Sequence, residues 1–358
     1  MSISNKKARG FLAIELDGAG YENLARAVLD AESAGFHAAT FKDAPEAGRA
    51  NALQRAAFAG PITRTIAVVP EVDTVYTEPF HISTQLASLD YVSGGRAGWI
   101  VTADESPEAA AAVGRSFVDG DALAQEAAAS IEVGRRLWDS WEDDAVIRDV
   151  ATGRYLDVDK LHYVDFETPA DFSGTPYSVK GPSIIPRPLQ GQLPVLAAAK
   201  LVGEGQVPVE VVDAVLVSAP TPELLTAEIR DVRARLGGSV AIVAELDVVL
   251  DARGQSAASR PAAPPESDRA RYSGPAGGLI DLLEVLLAEA EGVRLHPAAV
   301  EVELEELSRL VLPELRRLGS LRPPVQDGTF RDVLGLERPQ SRYSTSAAAI
   351  AAGKQGPA

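Results

Sequence analysis

The chain has 358 residues, 46% apolar and 24% charged, a balance typical of a folded globular protein long enough for one large α/β barrel or two modest domains. Its 51 acidic and 34 basic side chains give a formal charge of −17, which argues against DNA or RNA as a partner but leaves room for a small anionic ligand at a local site. There is no cysteine, so disulfides, thiolate metal sites and cysteine nucleophiles are excluded.

Strand and helix patterns alternate along the chain. "FLAIELD" (11–17) is a short apolar run of strand length that closes on a glycine turn. Leu24, Val28 and Ala31 then recur at helical spacing up to Gly35. "AATF" (38–41) reads as the second strand and 47–59 as its helix. "TIAVVPEV" (65–72) is the third strand, followed by a helix over 79–89. "GWIVTA" (98–103) is the fourth, with helical stretches over 108–115 and 122–141. From 144 to 192 the rhythm breaks into short alternating pieces rich in Asp, Gly, Pro and aromatics, which read as an insertion with small hairpins. The rhythm resumes with "PVLAAA" (194–199), "VDAVLVSA" (212–219), a helix over 222–236 and "VAIVAELDVVL" (240–250). The segment 252–275, loaded with Ala, Pro, Ser and Gly, reads as a mobile loop. A helix over 279–290, "GVRLHPA" (292–298) and a last helix over 304–318, kinked or restarted at Pro313, complete the pattern; the tail from 339 to 358 is expected to be disordered.

Eight strands each followed by helix predict a (β/α)8 TIM barrel spanning residues 1–338, with parallel strands buried on both faces and hence near-continuous apolar runs. An open doubly wound sheet is the alternative, but "ELDGAGYEN" lacks the third glycine of a dinucleotide fingerprint. The polar start "MSISNKKARG" has no signal-peptide core, and no run approaches the roughly 20 apolar residues of a membrane span, so a cytoplasmic protein is expected. The histidines His37, His81, His162 and His296 stand far apart without ligand spacing, and no metal site is expected.

"EPFHISTQLASLDYVSGGRAGWIVTA" (78–103), "RRLWDSWEDDAV" (135–146) and "PSIIPRPLQGQLPV" (182–195) together resemble the flavin-dependent luciferase-like monooxygenases, in the branch named for nitrilotriacetate monooxygenase. The resemblance covers roughly 11–343. It implies a barrel that takes reduced FMN from a separate flavin reductase, forms a C4a-peroxide with oxygen and oxygenates a small organic substrate, the protein supplying binding, orientation and exclusion of water. By the same resemblance a homodimer is expected, with the helix at 79–89 in the interface. A barrel that has lost oxygenation and serves as a binding or partner subunit, and a deazaflavin-dependent hydride-transfer enzyme, are the alternatives.

Barrel sites form at the C-terminal ends of strands. That position, with the resemblance, selects Asp43, Thr74, Ile100, Thr102, Ala199, Lys200 and Gly203 as cofactor contacts, and Asp43 and His81 as catalytic candidates, His81 as a neutral imidazole that accepts a proton. Asp17 reads equally as turn chemistry, and His296 as a turn residue or site residue. Several family groups are replaced. Relatives commonly read "WNxVTS" where this chain has "WIVTA", so Ile100 stands for an amide and Ala103 for a serine. "DGDALAQEAA" (119–128) lacks the tyrosine near the flavin phosphate. The phosphate turn, close to "QAGxSxxG", reads "AAAKLVGEGQVPVE", retaining Gly203 and Gly205 and offering Lys200 as a cation. Losing three polar contacts weakens binding by several kcal/mol.

Overall fold

The computed structural model describes residues 10–344 except 18–20, 44–49, 104, 204–205 and 261–266. Phe11–Glu15 (β1) is buried along its whole length, as a strand covered on both faces must be. The same holds for Ala38–Phe41 (β2) and Ala214–Val217 (β6), and nearly so for Ala67–Asp73 (β3), Trp99–Thr102 (β4), Val195–Ala198 (β5), Ala241–Leu250 (β7) and Gly292–Pro297 (β8). Each strand pairs in parallel with the next, and β8 pairs with β1, closing the eight-stranded barrel that the alternation predicts.

Helices Tyr21–Ala34 (α1), Ala52–Ala59 (α2) and Pro79–Ser93 (α3) follow the first three strands; Pro107–Val113 (α4) and Asp121–Asp139 (α5) follow β4. Pro222–Leu236 (α6), Ala276–Glu289 (α7) and Val300–Glu306 (α8) follow β6, β7 and β8. A π-turn over Leu307–Val311 joins α8 to Leu312–Leu318 (α9), the restart expected at Pro313, whose missing N–H falls in the first turn of α9. The helix expected from 47 begins instead at Ala52, because the Asn51 side chain accepts from Gln54 N at 2.8 Å and fixes the start there.

Two apolar layers result. The outer one lies between strands and helices and includes Ile14, Val28, Leu86, Ile242, Leu283 and Leu312. The inner one fills the barrel: Ala13, Ala38, Ala67 and Ala214 are small enough to admit Phe11 and, from the short helix Phe330–Leu334 (α10), Phe330. Gly98, just before β4, and Gly292, first in β8, stand where a Cβ would strike the rings of Phe330 and Phe11. The bottom of the barrel is therefore plugged, and the space left among the inner side chains is only about 10 Å³.

The insertion contains two antiparallel pairs, Val146–Asp149 with Arg154–Leu156 and Phe166–Glu167 with Ser178–Val179. Arg187 within it is not solvated: it is buried between Asp139 and Asp143 and donates to Pro339 O at 2.9 Å. Arg338 pairs with Asp143, and Ser341 is buried, so 339–344 lie packed against the insertion; the remainder of the expected disordered tail falls outside the described residues. The segment expected as a loop over 252–275 contains a strand, Ala270–Gly274, paired in parallel with Leu246–Leu250. β7 runs ten residues, past the end of β6, and its unpaired edge takes this partner. Among the described residues no α-helix joins β5 to β6; Ala199–Leu201 and Val209–Val211 are single 3-10 turns.

Candidate active site

Along β1, β3, β7 and β8 the inward positions change character towards the C-terminal end. Below they are Ala13, Val69, Val243 and Gly292; one step above they are Glu15, Glu71, Glu245 and Arg294. The Arg294 guanidinium, 3% exposed, sits between all three carboxylates: Nη2 meets Glu15 Oε2 and lies 2.6 Å from Glu71 Oε1, and Nη1 lies 3.1 Å from Glu245 Oε1. Its Nε donates to Thr40 Oγ1 at 2.9 Å, and that hydroxyl donates to Glu15 Oε2 at 2.9 Å. His296 Nε2 lies 3.2 Å from Glu245 Oε1, and Ser218 Oγ donates to Glu245 Oε2 at 2.8 Å.

Three carboxylates against one cation cannot all ionise cheaply in a dry interior. Burial first, then the charge of Glu71, push Glu15 up to about 7 in spite of Arg294. Burial also works on Glu245, but the hydrogen bond from His296 and the charge of Arg294 outweigh it and hold that carboxyl below its usual range. Burial and the neighbouring Arg294 lower His296, which is neutral near pH 7. The cluster thus separates a permanent carboxylate, Glu245, from one that exchanges its proton near neutrality, Glu15.

Glu15, Glu245 and His296 form part of the wall of a cavity of about 750 Å³ at the C-terminal mouth. Asp17, Lys42, Ala198, Ala199, Lys200, Leu216, Val217, Ser218, Asp247 and Pro297 complete its inner wall, and Glu228, Arg235 and the segment Ser267–Arg269 its outer rim. The other half of the mouth is partly covered and keeps a separate cleft of about 320 Å³ lined by Thr74, Tyr76, Arg115, Glu126 and Tyr177. Val75, Val118 and Leu123 pack with Tyr76 and Ala103 over the ends of β3 and β4, Arg115 donates to Val75 O, and Val118 N donates to Tyr76 Oη at 3.3 Å. A further cleft of about 550 Å³ lies between α1 and α8 on the outside of the barrel, away from the strand ends.

Of the residues selected from sequence, Ala199 and Lys200 line the mouth cavity. Thr74 lines the smaller cleft beside the mouth and also binds Thr102: Thr74 N and Oγ1 both donate to Thr102 O, at 3.0 and 2.9 Å, locking β3 to β4. Ile100 points into the inner core with Leu196 and Leu216. Asp43 accepts from Ala52 N at 3.4 Å, next to the start of α2. His81 is exposed on the first turn of α3, and its N–H donates to the capping Glu78 at 2.9 Å; its ring is outside the mouth cavity because the helix turns that position outward. Asp17 lines the mouth and pairs with Arg55 at 3.0 Å. Arg96 ties the end of α2 by donating to the carbonyls of Gly60 and Thr63, each at 2.9 Å. The residues that reading missed are Glu15, Glu71, Glu245 and Arg294.

The phosphate-bearing flavin implied by the resemblance fits this site in part. The cavity has room for a tricyclic ring, with Leu216, Val217 and Pro297 as its apolar wall. Among the described residues of the turn after β5, four N–H groups are already taken. Val202 N, Gly203 N, Gln206 N and Val207 N all donate to carbonyls of the same turn, and Arg235 donates to Val202 O at 2.6 Å and Ala199 O at 3.2 Å. Gly205 lies outside the described residues.

Comparison with known proteins agrees with this architecture. The chain is 38% identical over 146 residues to the N-acetyl-S-(2-succino)cysteine monooxygenase of Bacillus subtilis (strain 168), a match covering 40% of this chain and 32% of that protein. It is 37% identical over 140 residues to nitrilotriacetate monooxygenase component A of Aminobacter aminovorans, covering 38% and 29%. These matches span about a third of the relatives' length. The solved structure of a long-chain alkane monooxygenase superposes with a TM-score of 0.76 at 19% identity, over 92% of this chain and 96% of that one. The family model for luciferase-like monooxygenases matches residues 8–299, and the chain belongs to that family.

Proposed function

We propose that the chain is a flavin-dependent monooxygenase acting on a small organic substrate, with reduced FMN delivered by a separate flavin reductase and oxygen as co-substrate. The observation that carries this reading is the cavity of about 750 Å³ at the C-terminal mouth, floored by the Arg294 cluster, in a chain of this family. The bound flavin supplies the redox chemistry. The chain's own part is threefold. Leu216, Val217, Ala199 and Pro297 hold the ring against an apolar wall. Lys200 places a positive charge at the rim. Glu15 holds or releases a proton at its carboxyl, poised by burial near neutral pH, while Arg294 and Thr40 fix its orientation. The apolar cover over β3 and β4 keeps water from one side.

The same reading places the protein in the cytoplasm as a homodimer. Phe58, Ile62, Tyr91 and Val92 leave apolar surface on and beside α2 and α3, which suits pairing with a second copy. Among the described residues no helix is long and apolar enough to cross a membrane. Anaerobic titration with reduced flavin tests the assignment, followed by oxygen uptake with candidate substrates. Saturable binding, with re-oxidation of the bound flavin slower than in free solution, is the expected result; no binding near millimolar flavin would sink it.

A further inference from the structure

We propose that His296 sets the substrate class of the mouth: its Nδ1 is a hydrogen-bond acceptor facing the cavity, and it selects a small molecule that carries an O–H or N–H donor on an apolar body. This rests on the reading of the mouth as the active site and narrows the substrate that reading leaves open.

The position follows from strand geometry. Side chains two apart on a strand share a face. On β8, Gly292, Arg294 and His296 therefore follow one another on the inward face, and His296 stands one layer above the Arg294 cluster. β7 brings Asp247 up beside it as its register partner. The His296 side chain is 11% exposed, and it lines the mouth cavity.

The two ring nitrogens have different roles. Nε2 lies 3.2 Å from Glu245 Oε1. Burial works against the charge on Glu245, but the His296 hydrogen bond and Arg294 hold it ionised, so Nε2 carries the hydrogen and donates. Burial first, then Arg294, keep the ring neutral near pH 7, so Nδ1 retains its lone pair. Nδ1 has no partner among the described residues and is not sealed from solvent, so it opens on the cavity. Glu245 cannot swing away from the ring. Ser218 Oγ donates to its Oε2 at 2.8 Å, and Arg294 Nη1 lies 3.1 Å from its Oε1. Asp247 accepts from Arg269 Nε at 2.7 Å. The acceptor is thus oriented by a carboxylate that is itself held at both oxygens.

Such an acceptor discriminates because Leu216, Val217 and Pro297 stand on the same wall. A molecule with an O–H or N–H meets Nδ1 while its apolar body covers that wall. One of the same shape without a donor displaces water from Nδ1 and leaves the lone pair unmet. The difference corresponds to about three- to tenfold in affinity.

The test is anaerobic calorimetry of the full chain with phenol and with anisole, its methyl ether, which keeps the ring and has no hydrogen to give; reduced FMN is titrated in parallel. On wild type, phenol should bind about three- to tenfold tighter than anisole. His296→Leu should erase that preference. His296→Gln, whose amide can donate to Glu245 and still accept through its oxygen, should keep part of it. Equal binding of the two probes to wild type, no heat from either, or a phenol preference that survives His296→Leu overturns this inference, and the flavin reading stands if reduced FMN still binds. No heat with reduced FMN removes the flavin reading, and the phenol comparison then decides the role of His296 on its own.

Discussion

Replacing Glu15 by Gln probes the Arg294 cluster directly. The amide keeps the shape of a protonated carboxyl and cannot ionise. In the folded chain burial raises Glu15 from its ordinary 4.5 to about 7, so between those values the native state holds a proton that the unfolded chain has released. Native-state stability from that proton is fully present below about pH 4.5 and is lost as pH rises through about 7. The rise from 4.5 to about 7 corresponds to roughly 3–3.5 kcal/mol. Urea unfolding followed by the fluorescence of the buried Trp99 and Trp138 measures it. At pH 4 wild type and Glu15→Gln should unfold within about 0.5 kcal/mol of each other; by pH 8 the variant should be more stable by about 3 kcal/mol. A pH-independent difference, or wild type gaining on the variant as pH rises, would refute the reasoning. It would mean that the attraction of Arg294 outweighs burial and the repulsion of Glu71.

Three other outcomes follow from the packing. His37 bridges Leu12 N and Arg322 O, at 3.2 and 2.8 Å, and burial lowers it to about 4. Wild type should therefore lose up to about 3 kcal/mol relative to His37→Gln as pH falls from about 6.5 through about 4, read by the same urea titration. Phe330→Ala opens the base of the barrel and should cost about 3–5 kcal/mol, with reduced-flavin affinity unchanged in calorimetry because the mouth lies at the other end. Asp213→Ala strands Arg135 and Arg331, which it joins at 2.8 and 3.2 Å, and should cost about 3–5 kcal/mol in equilibrium unfolding.

The barrel was legible because parallel strands covered on both faces leave continuous apolar runs, and all eight strands occupy the stretches that those runs mark, to within about two residues. β7 was equally visible, but its length of ten carried a message that went unread: a strand that outruns its neighbour needs another partner, found at Ala270–Gly274. The ionic floor was in the sequence too. Glu15 in "FLAIELD", Glu71 in "VVPEVD", Glu245 in "VAIVAELD" and Arg294 in "GVRLHP" each interrupt an apolar strand at an inward position. Strand-end position selects residues beyond the strands and not charges inside them, although a charge buried there must meet a counter-charge across the barrel. The cover over β3 and β4 was not legible, since Val118 and Tyr76 are ordinary loop residues whose meeting depends on how α4 and α5 dock.

The stopper at the foot of the barrel is also made later than every strand of the sheet. A ribosome releases Phe330 only after every strand around it has emerged, and Arg331, Arg338 and Pro339 then fasten that late arrival to Asp213, Asp143 and Arg187. Until that moment the nascent ring has an open, greasy base, the kind of surface that chaperones grasp and that sticks to other chains. Completion of the fold thus waits for Phe330 and its fastenings rather than for closure of the sheet.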